Sequence, residues 1–252
     1  MRIFLKTEDE IILLRAASQL ATRALIEVGR HVVPRLALSH LRNKVVNAVM
    51  RTVPTESNSG KEALSSDTEF TFFVNGAYIE PSLEGECMLC EGDWLTVNCW
   101  VCLNGYYSFG AHTFIVGSSQ DDEPMTSTLR DMLRQVVRRA SAGHSIKEMS
   151  RTVYSLHSHD PYVLKTFGHG VGRNRVENPI LRMNPGVNDT VLLKEGMCLV
   201  IALAFKHGRS HFIKPRLMHE STFHNPFVPF GTTVVVRPGR PEILTSFETI
   251  VK

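Results

Sequence analysis

The segment FGHGVGRNRVENP, residues 167–179, contains the residues whose types and spacing best suit chemistry. His169 is a candidate metal ligand or anion-binding imidazole, and the alternative is a structural histidine held by a neighbour's hydrogen bond. The surrounding glycines are Gly168, Gly170 and Gly172. Glycines at these positions allow close backbone packing across a sheet, and this role does not require the protein to be catalytic. Glu177 and Pro179 fit a scaffold role. The chain has no G-x-S-x-G elbow and no G-x-x-x-x-G-K loop.

Two Cys-x-x-Cys pairs have the spacing of a zinc ribbon. They are Cys87 with Cys90 and Cys99 with Cys102. The second pair lies in a strand-like run, DWLTVNCWVCLNG, and strand residues three apart point to opposite faces. Cys99 and Cys102 are therefore not expected to face one metal ion. We interpret the four cysteines as reduced, partly buried thiols and leave their role open.

The bulk composition is that of an ordinary globular protein. The chain has 252 residues, 43% apolar residues and a formal net charge of +3. It has no run of about 18 uncharged apolar residues, so no membrane association is expected. Its start is charged too early for a secretory signal, and an odd count of five cysteines points to a reducing compartment. We therefore expect a cytoplasmic protein of undetermined oligomeric state, with 1–252 forming a single domain.

A basic stretch near the C-terminal end offers a different kind of function. Residues 206–224 contain several histidines and basic residues, which are Lys206, His207, Arg209, His211, Lys214, Arg216, His219 and His224. One interpretation is a solvated loop. The other is a surface for an acidic partner, RNA or the ribosome, although the mild net charge makes nucleic acid a weak expectation.

The first part of the chain has the periodicity of helices. Thr7 and Glu10 form a predicted capping box, and apolar residues then recur at helical spacing up to Gly29. A second helix is predicted over Leu38–Met50. Further helices are predicted from the region of 121–124 and within 142–160.

Strand-like segments separate and follow these helices. The first are FTFFVNGAYI, DWLTVNCWVCLNG and YYSFGAHTFIVG, and Asn104-Gly105 is a strong signal for a hairpin turn. The later ones are MCLVIALAF, GTTVVVRPG and EILTSFETIV. This order predicts an α+β fold in which helices cover one face of an antiparallel sheet.

The chain also contains an internal repeat. LCEGDWLTVN ends at Asn98, and LKEGMCLVIA ends 104 residues later at Ala202. Leu, Glu, Gly and Leu coincide, and each copy follows a block of predicted helices. A duplicated helix–helix–strand unit, packed as two halves around a central site, is therefore predicted.

These residues resemble the methionine aminopeptidases, which share the pita-bread fold with prolidases and creatinases. The resemblance spans nearly the whole chain, and residues 168–173 are its most specific part. It implies two pseudo-symmetric helix–strand halves around a curved antiparallel sheet. It also implies two divalent metal ions held by two aspartates, one histidine and two glutamates, with the metals activating a bridging water.

The resemblance places those ligands on positions that this chain has mostly changed. The histidine ligand matches His169. The two aspartates fall on Asn98 and Phe109, and the first glutamate falls on Ala202. A second histidine of the family falls on Val176, within the segment that keeps Glu177. An amide, a phenyl ring and a methyl group do not supply the charge of the carboxylates that they replace.

The last glutamate is ambiguous in the sequence. The family pattern is Glu, any residue, Thr, and this chain reads Ser246-Phe247-Glu248-Thr249. Without a gap Phe247 takes the ligand place, whereas a one-residue slip restores Glu248. Such a slip reverses the faces of the strand, so only one register is compatible with a site.

This inventory favours a non-catalytic pseudo-peptidase that binds a peptide or a protein N-terminus, with no cofactor. Its pocket is expected to be more apolar than the family's and to be shaped by the glycines, Val176 and Glu177. The alternative is an active methionyl aminopeptidase that holds a divalent ion (Mn, Co, Fe or Zn) through His169 and Glu248. A ribosome- or RNA-associated factor is the second alternative.

Overall fold

The computed structural model describes residues 2–53, 64–117, 124–156, 166–183, 191–206, 227–246 and 248–250. Within them the helices are α1 (Glu8–His31), α2 (Leu38–Thr52), α3 (Pro124–Arg138) and α4 (Ile146–Leu156). The strands are β1 (Glu69–Val74), β2 (Ala77–Ile79), β3 (Trp94–Leu103), β4 (Tyr106–Ile115), β5 (Thr166–Gly170), β6 (Glu177–Arg182), β7 (Cys198–Lys206), β8 (Phe227–Val235) and β9 (Glu242–Ile243). The predicted α+β class is confirmed.

The predicted capping box begins α1. The Thr7 side chain accepts a hydrogen bond from the Glu10 amide at 3.3 Å, and the Glu10 carboxylate accepts one from the Thr7 amide at 3.0 Å. Two amides that the helix leaves without partners are thereby satisfied. The helix continues two residues beyond Gly29, to His31, before Val32 caps it.

Asparagine–glycine pairs set the hairpins in the first half. Asn104 and Gly105 adopt φ values of 50° and 75° between β3 and β4, which confirms the predicted turn. A second such pair, Asn75-Gly76, has φ values of 52° and 81° and splits the segment FTFFVNGAYI into β1 and β2. Of the strand predicted at the C-terminal end, the described residues form a strand only at Glu242–Ile243, which pairs with β8, so the prediction is wrong for the other described residues of that segment.

The sheet has the symmetry that the repeat predicted. Its order is β2-β1-β3-β4-β8-β7-β5-β6, with β9 on β8. The order is symmetric about the β4–β8 junction, where Ala111 pairs with Gly231. The two copies of the repeat enter β3 and β7, so that Asn98 and Ala202 occupy equivalent places on either side of this junction.

The helices cover one face of the sheet and leave the other face for a site. One buried cluster packs α1 and α2 against β1 and β3 and includes Cys99. A second cluster packs α3 and α4 against β7 and β8. Cys99 thus lies beneath the helices, and its alternation with Cys102 agrees with the prediction that the two face opposite ways. None of the described helices combines the length and apolar character needed to cross a bilayer.

Thr7→Ala removes the acceptor of the α1 cap. We expect it to lower the free energy of unfolding by about 0.5–2 kcal/mol, measured by denaturant titration. Thr152→Ala is the matched control, because it makes the same change inside α4, where alanine has the higher helix propensity. Equal destabilisation by the two variants would contradict the role of the cap.

Glu10 predicts a pH dependence of stability. Hydrogen bonds from the Thr7 amide and the Tyr106 hydroxyl lower the pKa of its carboxyl below the ordinary 4.5. Its contribution is therefore present above pH 4.5 and is lost as the pH falls through the lowered value. The stability difference between wild type and Glu10→Gln should shrink on acidification below pH 4.5. A constant difference from pH 7 to pH 3 would be inconsistent with this assignment.

Candidate functional site

The positions expected to hold metal ions meet at the centre of the open face. Asn98 pairs with Ala111, Ala111 pairs with Gly231, and Gly231 pairs with Ala202. Directly opposed residues in neighbouring strands share a face. These four positions therefore form one row across β3, β4, β8 and β7, which we call the central row.

The ring of Phe109 fills the space above this row. Its side chain is 7% exposed, and its ring centroid lies 4.8 Å from that of Trp100. A Cβ atom added to Gly231 would lie 2.6 Å from Phe109 Cε1 and 3.2 Å from Ala202 Cβ. The phenyl ring thus occupies the place that a side chain on Gly231 would need.

Buried hydroxyl groups fix the backbone of Phe109. The Phe109 amide donates to Thr233 Oγ1 at 2.9 Å, and the Phe109 carbonyl accepts from Thr245 Oγ1 at 2.9 Å. Ser108 lies 2.6 Å from the Ser18 hydroxyl of α1, oxygen to oxygen. All these groups are buried, so the position of Phe109 is set by a satisfied polar network.

The structure places Gly231 in the central row and Glu248 away from it. Glu248 forms an ion pair with Arg134 of α3 at 2.9 Å, and 52% of its side chain is exposed. Gly231, in contrast, pairs with Ala202 in the central row. Gly231-Thr232-Thr233 fits the pattern Glu, any residue, Thr without a gap, with glycine at the ligand place. The threonine in GTTVVV was the signal that sequence reasoning missed. Phe247, the other reading, lies outside the described residues.

His169 lies at the open face of β5, opposite Val200 of β7. Its Nδ1 is 2.8 Å from the Gly170 carbonyl oxygen, and its ring stacks on Trp100 at a centroid distance of 6.1 Å and an interplanar angle of 8°. Burial lowers the pKa of His169, although the bond to Gly170 opposes that shift. Burial thus favours the uncharged form of the imidazole, which stacks on an aromatic ring.

The glycines around His169 allow close backbone contacts. A Cβ on Gly168 would lie 2.1 Å from the Val200 carbonyl oxygen, and one on Gly170 would lie 2.4 Å from the Asn178 carbonyl oxygen. Real Cβ atoms do not approach carbonyl oxygens so closely, so both positions require glycine. The glycine pattern has a structural cause that is independent of catalysis.

Gly172 makes room for a buried ion pair. Lys6 Nζ lies 2.6 Å from Glu177 Oε2, and each side chain is 5% exposed. A Cβ on Gly172 would lie 2.3 Å from Lys6 Cε. Glu177 also accepts a hydrogen bond from the Asn174 amide at 3.2 Å. Glu177 thus joins the segment before α1 to the strand after His169. Val176 is 58% exposed and is not among the members of the apolar cluster around Phe109.

Two residues that the sequence did not single out flank the histidine. Trp100 stands between Phe109 and His169. The Arg175 guanidinium lies 5.6 Å from the Trp100 ring centroid and is 2.8 Å from a carboxylate oxygen of Glu69. The open face therefore carries an aromatic stack with a neutralised arginine at its edge.

The residues present do not fit a pair of divalent ions. Asn98 Oδ1 is buried and has no hydrogen-bond partner among the described residues, and His169 adds a neutral nitrogen. At the other expected ligand positions, Phe109 carries a phenyl ring, Ala202 a methyl group and Gly231 only a hydrogen atom. The described part of the chain contains no group of three His, Cys, Asp or Glu residues able to hold a metal. Two divalent ions bring about four positive charges, and this set has no carboxylate to balance them.

The fold and the positions of this site define a class of protein. Residues 12–238 match the model of metallopeptidase family M24, and the chain belongs to that family. It is 25% identical over 248 residues to a methionine aminopeptidase of Clostridium perfringens, covering 96% of this chain and 98% of the relative. It is 29% identical over 220 residues to a methionine aminopeptidase of Helicobacter pylori, covering 82% of this chain and 85% of that protein.

Solved structures confirm the pita-bread fold. A methionine aminopeptidase from Thermotoga maritima superposes with a TM-score of 0.76 at 22% identity, over 97% of this chain and 100% of that one. A prolidase from Pyrococcus furiosus gives a TM-score of 0.69 at 18% identity, over 97% of this chain and 66% of the prolidase. The chain is thus methionine aminopeptidase-like in sequence and fold.

Gly231→Ala tests the contact between Phe109 and the central row. The added Cβ would lie 2.6 Å from Phe109 Cε1, so we expect a loss of about 1–3 kcal/mol in the free energy of unfolding. Phe109→Ala in the same chain removes the obstruction, so the double variant should be less destabilised than the sum of the two single variants. Strict additivity in denaturant titrations would mean that the ring does not constrain Gly231.

Proposed function

We propose that this protein is a methionine aminopeptidase-like pseudo-peptidase that binds the end of a peptide or protein chain without cleaving it. The proposal rests on which residues occupy the expected metal-ligand positions. Asn98, Phe109, Ala202 and Gly231 converge on one face, and all four are neutral. A site that must hold two divalent ions needs hard, negatively charged oxygen ligands.

The packing around Phe109 supports loss of the metals rather than their displacement by a few ångströms. The phenyl ring lies in a buried apolar cluster with Ala111 and Val200, and Trp100 and Ala202 pack against it. Placing a divalent ion there would remove its hydration shell without providing charged ligands, which is strongly unfavourable. The backbone architecture is kept at the same time, so a surface able to hold an extended chain is retained.

An active metal-dependent methionyl aminopeptidase is the second candidate. It is favoured by the relatives, because those with matches along most of this chain are named methionine aminopeptidases. It would have to use His169 and Asn98 with ligands that the central row does not supply. The ribosome or RNA alternative rests on the basic stretch 206–224, which lies outside the described residues except for Lys206, and it gains no support from these relatives.

Metal content and turnover separate the first two functions. The full chain, purified without chelator and incubated with Mn²⁺, Co²⁺, Fe²⁺ or Zn²⁺, should retain no stoichiometric metal by mass spectrometry. It should release no methionine from a Met-Ala-Ser peptide above the level of the His169→Ala variant. Stoichiometric metal together with turnover that is lost in His169→Ala would establish the peptidase and overturn the proposal.

Restoring the charges provides the positive control. A fourfold variant, Asn98→Asp, Phe109→Asp, Ala202→Glu and Gly231→Glu, removes the ring and returns a carboxylate to each position. We expect it to bind Mn²⁺ in calorimetric titrations in which the wild type gives no signal. Gly231→Glu alone is the matched control, because Phe109 then still blocks the added side chain. Equal Mn²⁺ binding by the wild type and the fourfold variant would show that the neutral positions are not what prevents metal binding.

A further inference from the structure

The guanidinium of Arg175 lies in a cluster of groups that suit a cation. Its Nη1 donates to a carboxylate oxygen of Glu69 at 2.8 Å, and its Nη2 donates to the Asp67 carbonyl. Its Cζ atom lies 5.6 Å from the ring centroid of Trp100 and 5.8 Å from that of Tyr107. Carboxylate and carbonyl oxygens that accept from the N–H groups, together with aromatic rings, are the contacts by which proteins recognise arginine.

Three neighbouring strands of the first half build this cluster. Glu69 of β1 pairs with Trp100 of β3, and directly opposed residues share a face. Tyr107 of β4 pairs with Cys102, which lies two residues from Trp100 and therefore on the same face. Asp67 precedes β1, and its carboxylate accepts a hydrogen bond from the Tyr107 hydroxyl at 2.6 Å. We call Asp67, Glu69, Trp100 and Tyr107 the guanidinium cluster.

Arg175 reaches this cluster from the second half of the protein. It belongs to the loop between β5 and β6, whose backbone is held by contacts that do not involve the Arg175 side chain. The Tyr107 amide donates to the Gly172 carbonyl at 2.8 Å, and Glu177 forms its buried ion pair with Lys6. The Arg175 side chain can therefore leave the cluster while these anchors keep the loop in place.

The contacts of Arg175 lie where a second molecule can compete for them. Its side chain is 35% exposed, and that of Glu69 is 52% exposed. Water screens ion pairs at such positions, so they hold their partners only weakly. Asp67 is exposed as well. A chain bound on the open face presents its own side chains to the cluster at a high effective concentration.

We propose that the guanidinium cluster binds an arginine side chain of the peptide or protein whose end this face holds, and that Arg175 fills the cluster in the unbound protein. The Trp100 ring also contacts Phe109 and His169, so the cluster adjoins the central row. Arginine fits better than lysine, because its planar fork bonds two oxygens at once and its face stacks on rings. This inference rests on the proposed function, because it names the ligand class of the same non-catalytic site.

Removal of Arg175 should open the cluster to an added ligand. Nα-acetyl-arginine amide and Nα-acetyl-citrulline amide form a matched pair, in which a neutral urea replaces the guanidinium. We expect Arg175→Ala to bind the arginine compound at least about tenfold more tightly than the wild type does, equivalent to about 1.4 kcal/mol. Isothermal titration calorimetry at pH 7 measures both affinities. Equal affinity of the two proteins for the arginine compound, or an equal gain for the citrulline compound, would overturn the inference.

Arg173→Ala is the matched control, because it removes an arginine from the same loop and changes the net charge equally. Arg173 lies over the Tyr106 ring, 3.9 Å from the Glu10 carboxylate and outside the cluster. This variant should show no gain, and adding Glu69→Gln to Arg175→Ala should abolish the gain. Thermal melts verify the fold, and Arg175→Gln replaces Arg175→Ala if the alanine variant does not fold. A gain in Arg173→Ala as large as that in Arg175→Ala, or one that survives Glu69→Gln, would refute the cluster as the site.

The wild type should itself recognise arginine in a bound chain. Three alanine tripeptide amides carry arginine at the first, second or third position, and each is compared with its citrulline counterpart. At least one arginine peptide should bind at least about threefold more tightly than its counterpart, because its guanidinium displaces Arg175 once the chain is held on the face. The absence of any preference at all three positions would overturn the ligand class.

The outcomes distinguish this inference from the proposed function. Cleavage of a methionyl peptide by the metal-supplemented protein would refute the pseudo-peptidase. The absence of a gain in Arg175→Ala, without cleavage, would refute only the guanidinium cluster. Binding of none of the six tripeptides at millimolar concentration would overturn both.

Discussion

The contact between the Phe109 ring and Gly231 constrains the centre of this protein. The ring leaves no space for a side chain on β8 at that point, and Ala111 and Ala202 on the neighbouring strands are correspondingly small. In a close-packed interior a large residue at one position requires small ones around it. The four central strands therefore come together around an aromatic ring, at the positions where the family resemblance calls for charged metal ligands.

Buried hydrogen bonds to the Phe109 backbone and a buried ion pair stabilise this arrangement. Thr233 and Thr245 bind the backbone of Phe109 and thereby fix the position of its Cα atom beside Gly231. The Lys6–Glu177 pair anchors the segment that follows His169 to the start of the chain. Removal of one partner from such a pair costs more than the pair contributes, because it leaves an unpaired charge in a site of low polarity. The scaffold of the family is thus kept by contacts that do not involve metal ions.

The chemistry available to the open face follows from its charge. An amide, an imidazole and aromatic rings suit recognition by hydrogen bonds and apolar contact. The relatives are named for a peptidase activity, so the change of function proposed for this chain lies in a few side chains on a conserved architecture. A fold can carry different functions when its site residues change.

The sequence by itself determined the local structure and the family. Helical periodicity, the Thr7 capping box, the Asn104-Gly105 turn and the 104-residue repeat were legible because each depends on residues close in the chain or on a regular spacing. The sequence also singled out Asn98, Phe109 and Ala202 as expected ligand positions, since they lie in motifs with recognisable neighbours. For the last position it offered Phe247 and Glu248, and Gly231 was not considered.

Only the tertiary structure decided that last position, and the reason is physical. Strand register places Gly231 between Ala111 and Ala202, whereas Glu248 turns outward to Arg134. Register depends on pairing between strands that are far apart in sequence, and it is not encoded in a short motif. The contacts of Trp100 with Phe109 and His169 likewise exist only in the tertiary structure, because three strands separate β3 from β5 in the sheet.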